Sequence, residues 1–321
     1  MFERILVPLD GSARAEVILS LVARILRRED SEILLLRVVD VPAAVGRVSL
    51  ADIRRQERED AQKYIHDVAR RFGASGAKVH GRIAEGSPAD AILDAARTEG
   101  ATLIAMSTHG RTGLARWALG SVAEKVARAS DVPLLLVRSF RRTPKGDLEA
   151  TAAQEMPFRR ILVPVDGSPT SMSVIGPATK FAQLYGSDLL TLHVETPWVP
   201  PSPVLPGMEV VYPHMVPPVT PSDQDDVTAK AAKRFEQAGL KATRLTTQGQ
   251  PAAEILDLSV NRDADLIALG THGRSGLARW ALGSVAERVL RSGEIPILLV
   301  RAAGSSKATR KPRPKKVKAR G

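Results

Sequence analysis

The stretch Ser107-Thr-His-Gly-Arg-Thr-Gly-Leu-Ala-Arg-Trp-Ala-Leu-Gly-Ser-Val-Ala-Glu-Lys-Val126 returns as Gly270-Thr-His-Gly-Arg-Ser-Gly-Leu-Ala-Arg-Trp-Ala-Leu-Gly-Ser-Val-Ala-Glu-Arg-Val289. Only positions 107/270, 112/275 and 125/288 differ. A short apolar run precedes each copy, Leu103-Ile-Ala-Met106 and Leu266-Ile-Ala-Leu269, with the length and flanks of a buried strand. Each copy closes on Gly-Ser-Val-Ala-Glu, which reads as a helix start. Ser121 and Ser284 are the expected N-caps, with Glu124 and Glu287 three residues on completing a capping box. A glycine-spaced loop between a strand end and a helix N-terminus suits phosphate. The helix dipole and open backbone N–H groups favour an anion, and missing Cβ atoms let it approach.

A repeat of this length within 321 residues predicts two domains. Aromatic residues make up only 4%, so Leu, Ile, Val and Ala must fill the cores. The chain has no cysteine, which excludes disulfides, zinc–thiolate sites and a cysteine nucleophile. Met1-Phe-Glu-Arg-Ile-Leu-Val-Pro-Leu-Asp10 has no charged-then-apolar leader, and no run approaches the ~18 apolar residues of a transmembrane segment. A cytoplasmic protein is therefore expected. The net charge of +11 is concentrated in residues 304–321, where Lys307, Arg310, Lys311, Arg313, Lys315, Lys316, Lys318 and Arg320 stand without an acid. Removing those eight charges leaves +3, so the folded part is close to neutral.

Taken in order, the first half predicts a strand over Glu3–Leu9 closed by Asp10-Gly-Ser12, and an amphipathic helix over Ala15–Leu26. A strand over Glu32–Val39 comes next, then a polar helix from about Leu50 to Phe72 and a strand over Lys78–Ala84. Ser87-Pro88 opens another helix with cap and N1 proline in their favoured order. The glycine loop follows its strand, and Pro133–Arg138 holds the last one. Five strands alternating with four helices imply a parallel sheet with right-handed crossovers. Residues 139–157 read as a linker. Phe158–Ser168 then repeats Phe2–Ser12 at an offset of 156, while the glycine loops repeat at 163. The seven added residues fall in 196–223, where nine prolines predict an irregular insert. The expected domains are thus 1–138 and 158–303, with a basic tail over 304–321. The apolar last strands, Leu134–Val137 and Ile297–Val300, would be sticky edges if left open, which predicts that the halves pair there as a pseudo-twofold dimer.

The chain resembles the universal stress protein family in its tandem form, over roughly 1–138 and 158–301. ATP-binding members of that family carry Gly-x2-Gly-x9-Gly-Ser/Thr. Gly270, Gly273, Gly283 and Ser284 match it fully; the first half has Gly110, Gly120 and Ser121, but Ser107 replaces the first glycine. The resemblance implies two doubly wound α/β domains, each with a five-stranded parallel sheet of order 3-2-1-4-5. It places nucleotide at the carboxyl ends of strands one and four, the switch point of such sheets. Matching by position puts Asp10 and Asp166 near the ribose, and Val38 and Val194 beside the adenine. Gly110, Gly120, Ser121, Gly273, Gly283 and Ser284 would hold the phosphates. Pro8, Pro164, Ser107, Gly270, Gly113, Gly276, Val122 and Val285 complete the implied set. Mg²⁺ or Mn²⁺ would ride on the phosphates. The family also pairs through the last strand, which implies a pseudo-dimer within the chain and leaves a homodimer open.

Asp-Gly-Ser is also a plain turn sequence, so Asp10 and Asp166 have a structural alternative as turn caps. His109 and His272 read as loop hydrogen-bonding groups, because no second ligand lies at metal spacing. Arg111 and Arg274 stand equally as phosphate contacts or solvated arginines, and Trp117 and Trp280 read as packing anchors. His66, His80 and His214 have no repeat partner. No Gly-x4-Gly-Lys-Ser/Thr occurs, so the lysine of a P-loop is missing. The first reading is therefore a nucleotide-binding stress-response regulator that holds ATP without turning it over. A slow ATPase or nucleotidyl-transfer enzyme on the same site is the second. Charge-driven nucleic-acid or anionic-surface contact through the tail is the third.

Overall fold

The computed structural model describes residues 2–26, 31–40, 50–73, 77–108, 119–142, 148–150, 158–196, 226–271 and 282–301. In the first half, β1 (Arg4–Pro8), β2 (Glu32–Val39), β3 (Lys78–Glu85), β4 (Leu103–Ser107) and β5 (Leu134–Val137) alternate with α1 (Ala13–Leu26), α2 (Leu50–Gly73), α3 (Pro88–Thr98) and α4 (Ser121–Ala129). All of its strand pairs are parallel, in the order β3-β2-β1-β4-β5. Side chains alternate between two apolar layers. Ile5 and Val7 join Ile18 and Leu21 of α1 and Val68 of α2, whereas Leu6 joins Ile92 of α3 and Val126 of α4. With helices on both faces, Ile5–Pro8 of β1 and Leu103–Met106 of β4 are apolar without alternation.

The hairpin β6 (Phe140–Arg142) and β7 (Leu148–Ala150), a two-stranded antiparallel pair, lies within the segment expected to be a plain linker. The second half then repeats the pattern with β8 (Arg160–Pro164), β9 (Asp188–Glu195), β10 (Ala242–Gln248), β11 (Leu266–Gly270) and β12 (Ile297–Val300). Its order is β10-β9-β8-β11-β12, again 3-2-1-4-5. Here the counterpart of the continuous α1 is divided into α5 (Pro169–Met172) and α6 (Ile175–Tyr185). Pro177 accounts for the break. A proline lacks the N–H and its ring collides with the carbonyl four residues back, at Ser173, so the chain turns there and restarts. α7 (Val227–Gln237), α8 (Pro251–Asn261) and α9 (Ser284–Ser292) complete the layers.

The two sheets join into one of ten strands. β5 and β12 pair antiparallel, with Leu136 opposite Ile297, Leu135 opposite Leu298 and Leu134 opposite Leu299. The pairing expected from the two apolar edges is therefore present within the chain. Charged side chains reinforce it: Arg128 meets Glu124 at 2.8 Å and Glu287 at 3.4 Å, and Arg291 meets Glu287 at 3.0 Å and Glu124 at 3.6 Å. Arg138 crosses the seam and donates to the carbonyls of Leu290 and Arg291 at the end of α9. Burial there depresses its pKa, against the pull of Glu294. Among the described residues, no helix is long and apolar enough to cross a membrane.

Candidate functional site

Each half places a site where β1 and β4, or β8 and β11, end side by side. In a sheet of this order that switch point is where a crevice opens. On one wall the chain turns at Gly11 (φ 85°) or Gly167 (φ 81°), a backbone region that favours glycine. The turn is tied by its carboxylate. Asp10 Oδ1 accepts from Ser12 N at 2.9 Å and Ser12 Oγ at 2.6 Å, and Asp166 Oδ1 accepts from Ser168 N at 2.9 Å. The turn-capping role of both aspartates is thus real, and both still line a cavity.

The opposite wall begins at the helix after the glycine loop. Gly120 N donates to Thr108 O at 2.8 Å, and Gly283 N to Thr271 O at 2.6 Å. These bonds hold the two glycines in extended conformations as the N-caps, at φ −56° and −60°. The expected capping boxes do not form: Ser121 and Ser284 are first helical residues, with no side-chain cap bond at either helix. Glu124 and Glu287 turn instead to the arginines of the seam. With glycine at the cap, the cap residue itself has no side chain to cover the first-turn N–H groups, which have no partner inside a helix.

The third wall is the end of the second strand. Leu192 O accepts from Val165 N at 2.8 Å on the β8 side, and Glu195 O accepts from Gly249 N at 3.0 Å on the β10 side. Residues of a parallel strand alternate sides, so Val194 directs its N–H and C=O toward β8, just past that strand's end. A continuing ladder would give Val194 N–H the carbonyl of Val165. His193 takes that carbonyl with Nδ1 at 2.9 Å, and the Val194 pair faces the crevice. The same alternation holds in the first half, where Leu36 O accepts from Leu9 N and Val39 O from Gly86 N.

The second-half cavity measures about 580 Å³; Pro164, Asp166, Val194, Gly270, Gly283, Ser284 and Val285 all line it. The first-half cavity measures about 240 Å³, and Pro8, Asp10, Val38, Ser107, Gly120, Ser121 and Val122 line it. The residues selected from sequence are thus gathered at two matched places. Gly110, Gly113, Gly273 and Gly276 lie outside the described residues, as do His109, His272, Arg111, Arg274, Trp117, Trp280 and His214. So do residues 197–225, which hold all but the first residue of the insert expected over 196–223, and the tail. His80 lies far away on β3, with Nε2 at 2.7 Å from Glu32.

Sequence reasoning left out several lining residues. Thr108 and Thr271 are buried, and their carbonyls hold the N-cap glycines; their identity in both copies was the available signal. Pro88 with Ile92, and Pro251 with Ile255, line the matched cavities from α3 and α8. Arg37 and His193 occupy equivalent positions on β2 and β9, but their types differ, so comparing the repeats flags neither. Position 107/270 has a cause other than ligand approach. A Cβ on Gly270 would stand 2.6 Å from Thr170 O and 3.0 Å from Ser171 Cα, both backbone atoms of α5.

A sheet of this order, doubled, with matched crevices at its switch points, defines a class of tandem α/β proteins. A family model described as the universal stress protein family matches residues 1–138 and 157–301, and the chain belongs to that family. A universal stress protein of Mycolicibacterium smegmatis is 27% identical over 315 residues, covering 92% of this chain and 96% of the relative. Another from Methanocaldococcus jannaschii is 33% identical over 144 residues, covering 45% of this chain and 82% of the relative. The crystal structure of a universal stress protein from Archaeoglobus fulgidus superposes with a TM-score of 0.70 at 20% identity. It covers 94% of this chain and 99% of that one, a likeness of fold.

Proposed function

We propose that the protein is a nucleotide-binding regulator of the stress-response type, which holds ATP at the strand-end crevice and does not turn it over. The observation that carries this reading is the second-half cavity. At about 580 Å³ it lies within the roughly 300–1,000 Å³ typical of small-molecule sites. Its three walls offer three different chemistries. The start of α9, capped by Gly283, offers N–H groups and a positive dipole end to phosphate. The carboxylate of Asp166 is a ready acceptor for ribose hydroxyls. The Val194 N–H and C=O form an adjacent donor and acceptor, as the edge of an adenine requires.

A divalent cation fits this site only as a passenger on the phosphates. Among the described residues, no three His, Cys, Asp or Glu side chains converge to ligate one. Binding is favoured over hydrolysis because the chain carries no P-loop lysine and, among the described residues of the cavity, no carboxylate is paired with an imidazole that would orient it as a base. A general base needs an orienting partner and reach to a water. Mass spectrometry of nucleotides released from the heat-denatured protein, with calorimetry of added ATP, tests the reading. Co-release of adenine nucleotide, or micromolar binding, is expected. An empty protein that also fails to bind ATP would sink it.

A further inference from the structure

The two cavities are built from equivalent elements, yet their base-facing walls end differently. On β9, His193 turns away to Val165 O and leaves the Val194 carbonyl facing a half-exposed crevice. On β2 the equivalent residue is Arg37, and its Nη1 donates to Val38 O at 2.7 Å. That carbonyl is the acceptor which, by the strand alternation, points at the first-half cavity. The guanidinium therefore sits on the group that an exocyclic amine would need. Three further observations agree. Arg37 itself lines that cavity. Val38 is buried, at 6% exposure, where Val194 is half-buried. The cavity, at about 240 Å³, falls below the roughly 300 Å³ lower bound for small-molecule pockets.

We infer that Arg37 is a specificity-determining residue that closes the first-half cavity to adenine nucleotides, so that the chain binds one ATP, in its second half. This rests on the nucleotide reading above and adds where, and how often, it applies. Adenine carries an amino group that donates and a ring nitrogen that accepts. To bind in the first half its amine would have to share Val38 O with a guanidinium already donating to it at 2.7 Å, whose charge-assisted bond is stronger than the amine's own neutral one. It must also find room beside a guanidinium. In the second half neither obstacle stands, because the imidazole is held on a different carbonyl. The asymmetry follows from one side chain.

The test is stoichiometry, read by calorimetry with ATP on the full chain. Wild type is expected to bind one equivalent, and Gly283→Val, which fills the phosphate end of the second cavity, to bind none. Arg37→His, which copies the second half, and Arg37→Ala should each bind two equivalents, one of them retained in Arg37→His/Gly283→Val. First-half affinity should rise at least about tenfold over wild type, about 1.4 kcal/mol. Two equivalents in wild type would overturn the assignment, as would a single equivalent in both Arg37 variants. Should Gly283→Val fail to fold, the counts for the Arg37 variants decide alone. No binding by wild type or by either Arg37 variant would refute the nucleotide reading itself, and this assignment with it. One equivalent throughout refutes only the role of Arg37.

Discussion

Replacing Gly270 by alanine separates two reasons for a glycine at the end of β11. One is that nucleotide needs the space; the other is that α5 already fills it. An ideal Cβ at 270 meets Thr170 O at 2.6 Å, Thr170 C at 3.0 Å and Ser171 Cα at 3.0 Å. These are main-chain atoms, so no side-chain rotation relieves the clash. They are also fixed: Ser171 N donates to Ser168 Oγ at 3.1 Å, Met172 N to Ser168 O at 3.0 Å, and Ser173 Oγ to Thr170 O at 2.6 Å. Overpacking of this kind costs about 1–3 kcal/mol. For a unit of this size each kcal/mol moves the midpoint by about 2–4 °C, so Gly270→Ala should melt about 2–12 °C below wild type. In the first half the buried Ser107 fills the equivalent position against the unbroken α1. Its replacement by glycine should cost no more than about 1 kcal/mol, mainly chain entropy. Differential scanning calorimetry measures both. A Gly270→Ala protein that melts within a degree of wild type, yet binds ATP far more weakly, would refute the packing argument and restore ligand approach as the cause.

Three further outcomes are expected. Arg138→Ala should lose about 2–3 kcal/mol in urea denaturation, because two carbonyls at the end of α9 lose a charged donor; Arg138→Lys should recover little of it, since an ammonium cannot fork between them. Burial alone would raise the Asp226 pKa, but bonds from Thr228 and Ala229, with Arg244 nearby, bring it below its usual 3.8. A lowered folded pKa gives stability that is present above that value and lost as pH falls through the lower one. The cost of Asp226→Ala, about 1 kcal/mol at neutral pH, should therefore shrink below about pH 3.8. Cutting the chain near Thr151 and separating the halves should expose β5 and β12 as bare apolar edges, and light scattering should show each half self-associating; halves that stay monomeric would contradict the role given to the seam.

The sheet was legible because its signals are redundant. Leu103–Met106 and Leu266–Leu269 are apolar throughout, as strands covered on both faces must be, and each appears twice. Their edge counterparts, Leu134–Val137 and Ile297–Val300, announced the seam for the same reason. What sequence did not give depends on atoms that meet only in the fold. The capping box was misread because Ser121 carries a good capping side chain, while the bond from Gly120 N to Thr108 O moves the cap back by one residue. The break between α5 and α6 was available in Pro177 but hidden by the uninterrupted pattern of its repeat partner. Ser107 and Gly270 show in the sequence only as a departure from a glycine pattern, since nothing there says that a Cβ at 270 would stand 2.6 Å from Thr170 O. Arg37 and His193 escaped notice because a comparison of repeats rewards identity, and their relevance lies in being different.

The antiparallel seam has a consequence for how the protein responds to its own abundance. Two separate chains joined through such strands come apart on dilution, and their stability rises with concentration. Here the pairing of β5 with β12 is intramolecular. Joined through residues 139–157, the halves meet at an effective concentration on the order of millimolar, set by the tether rather than by expression. A protein made in varying amounts thus keeps its two halves paired. The tether also removes a constraint that symmetry imposes. In a dimer of identical chains every substitution appears in both sites at once, whereas here Arg37 can stand in one crevice and His193 in the other. Fusion is what permits the two sites to become different.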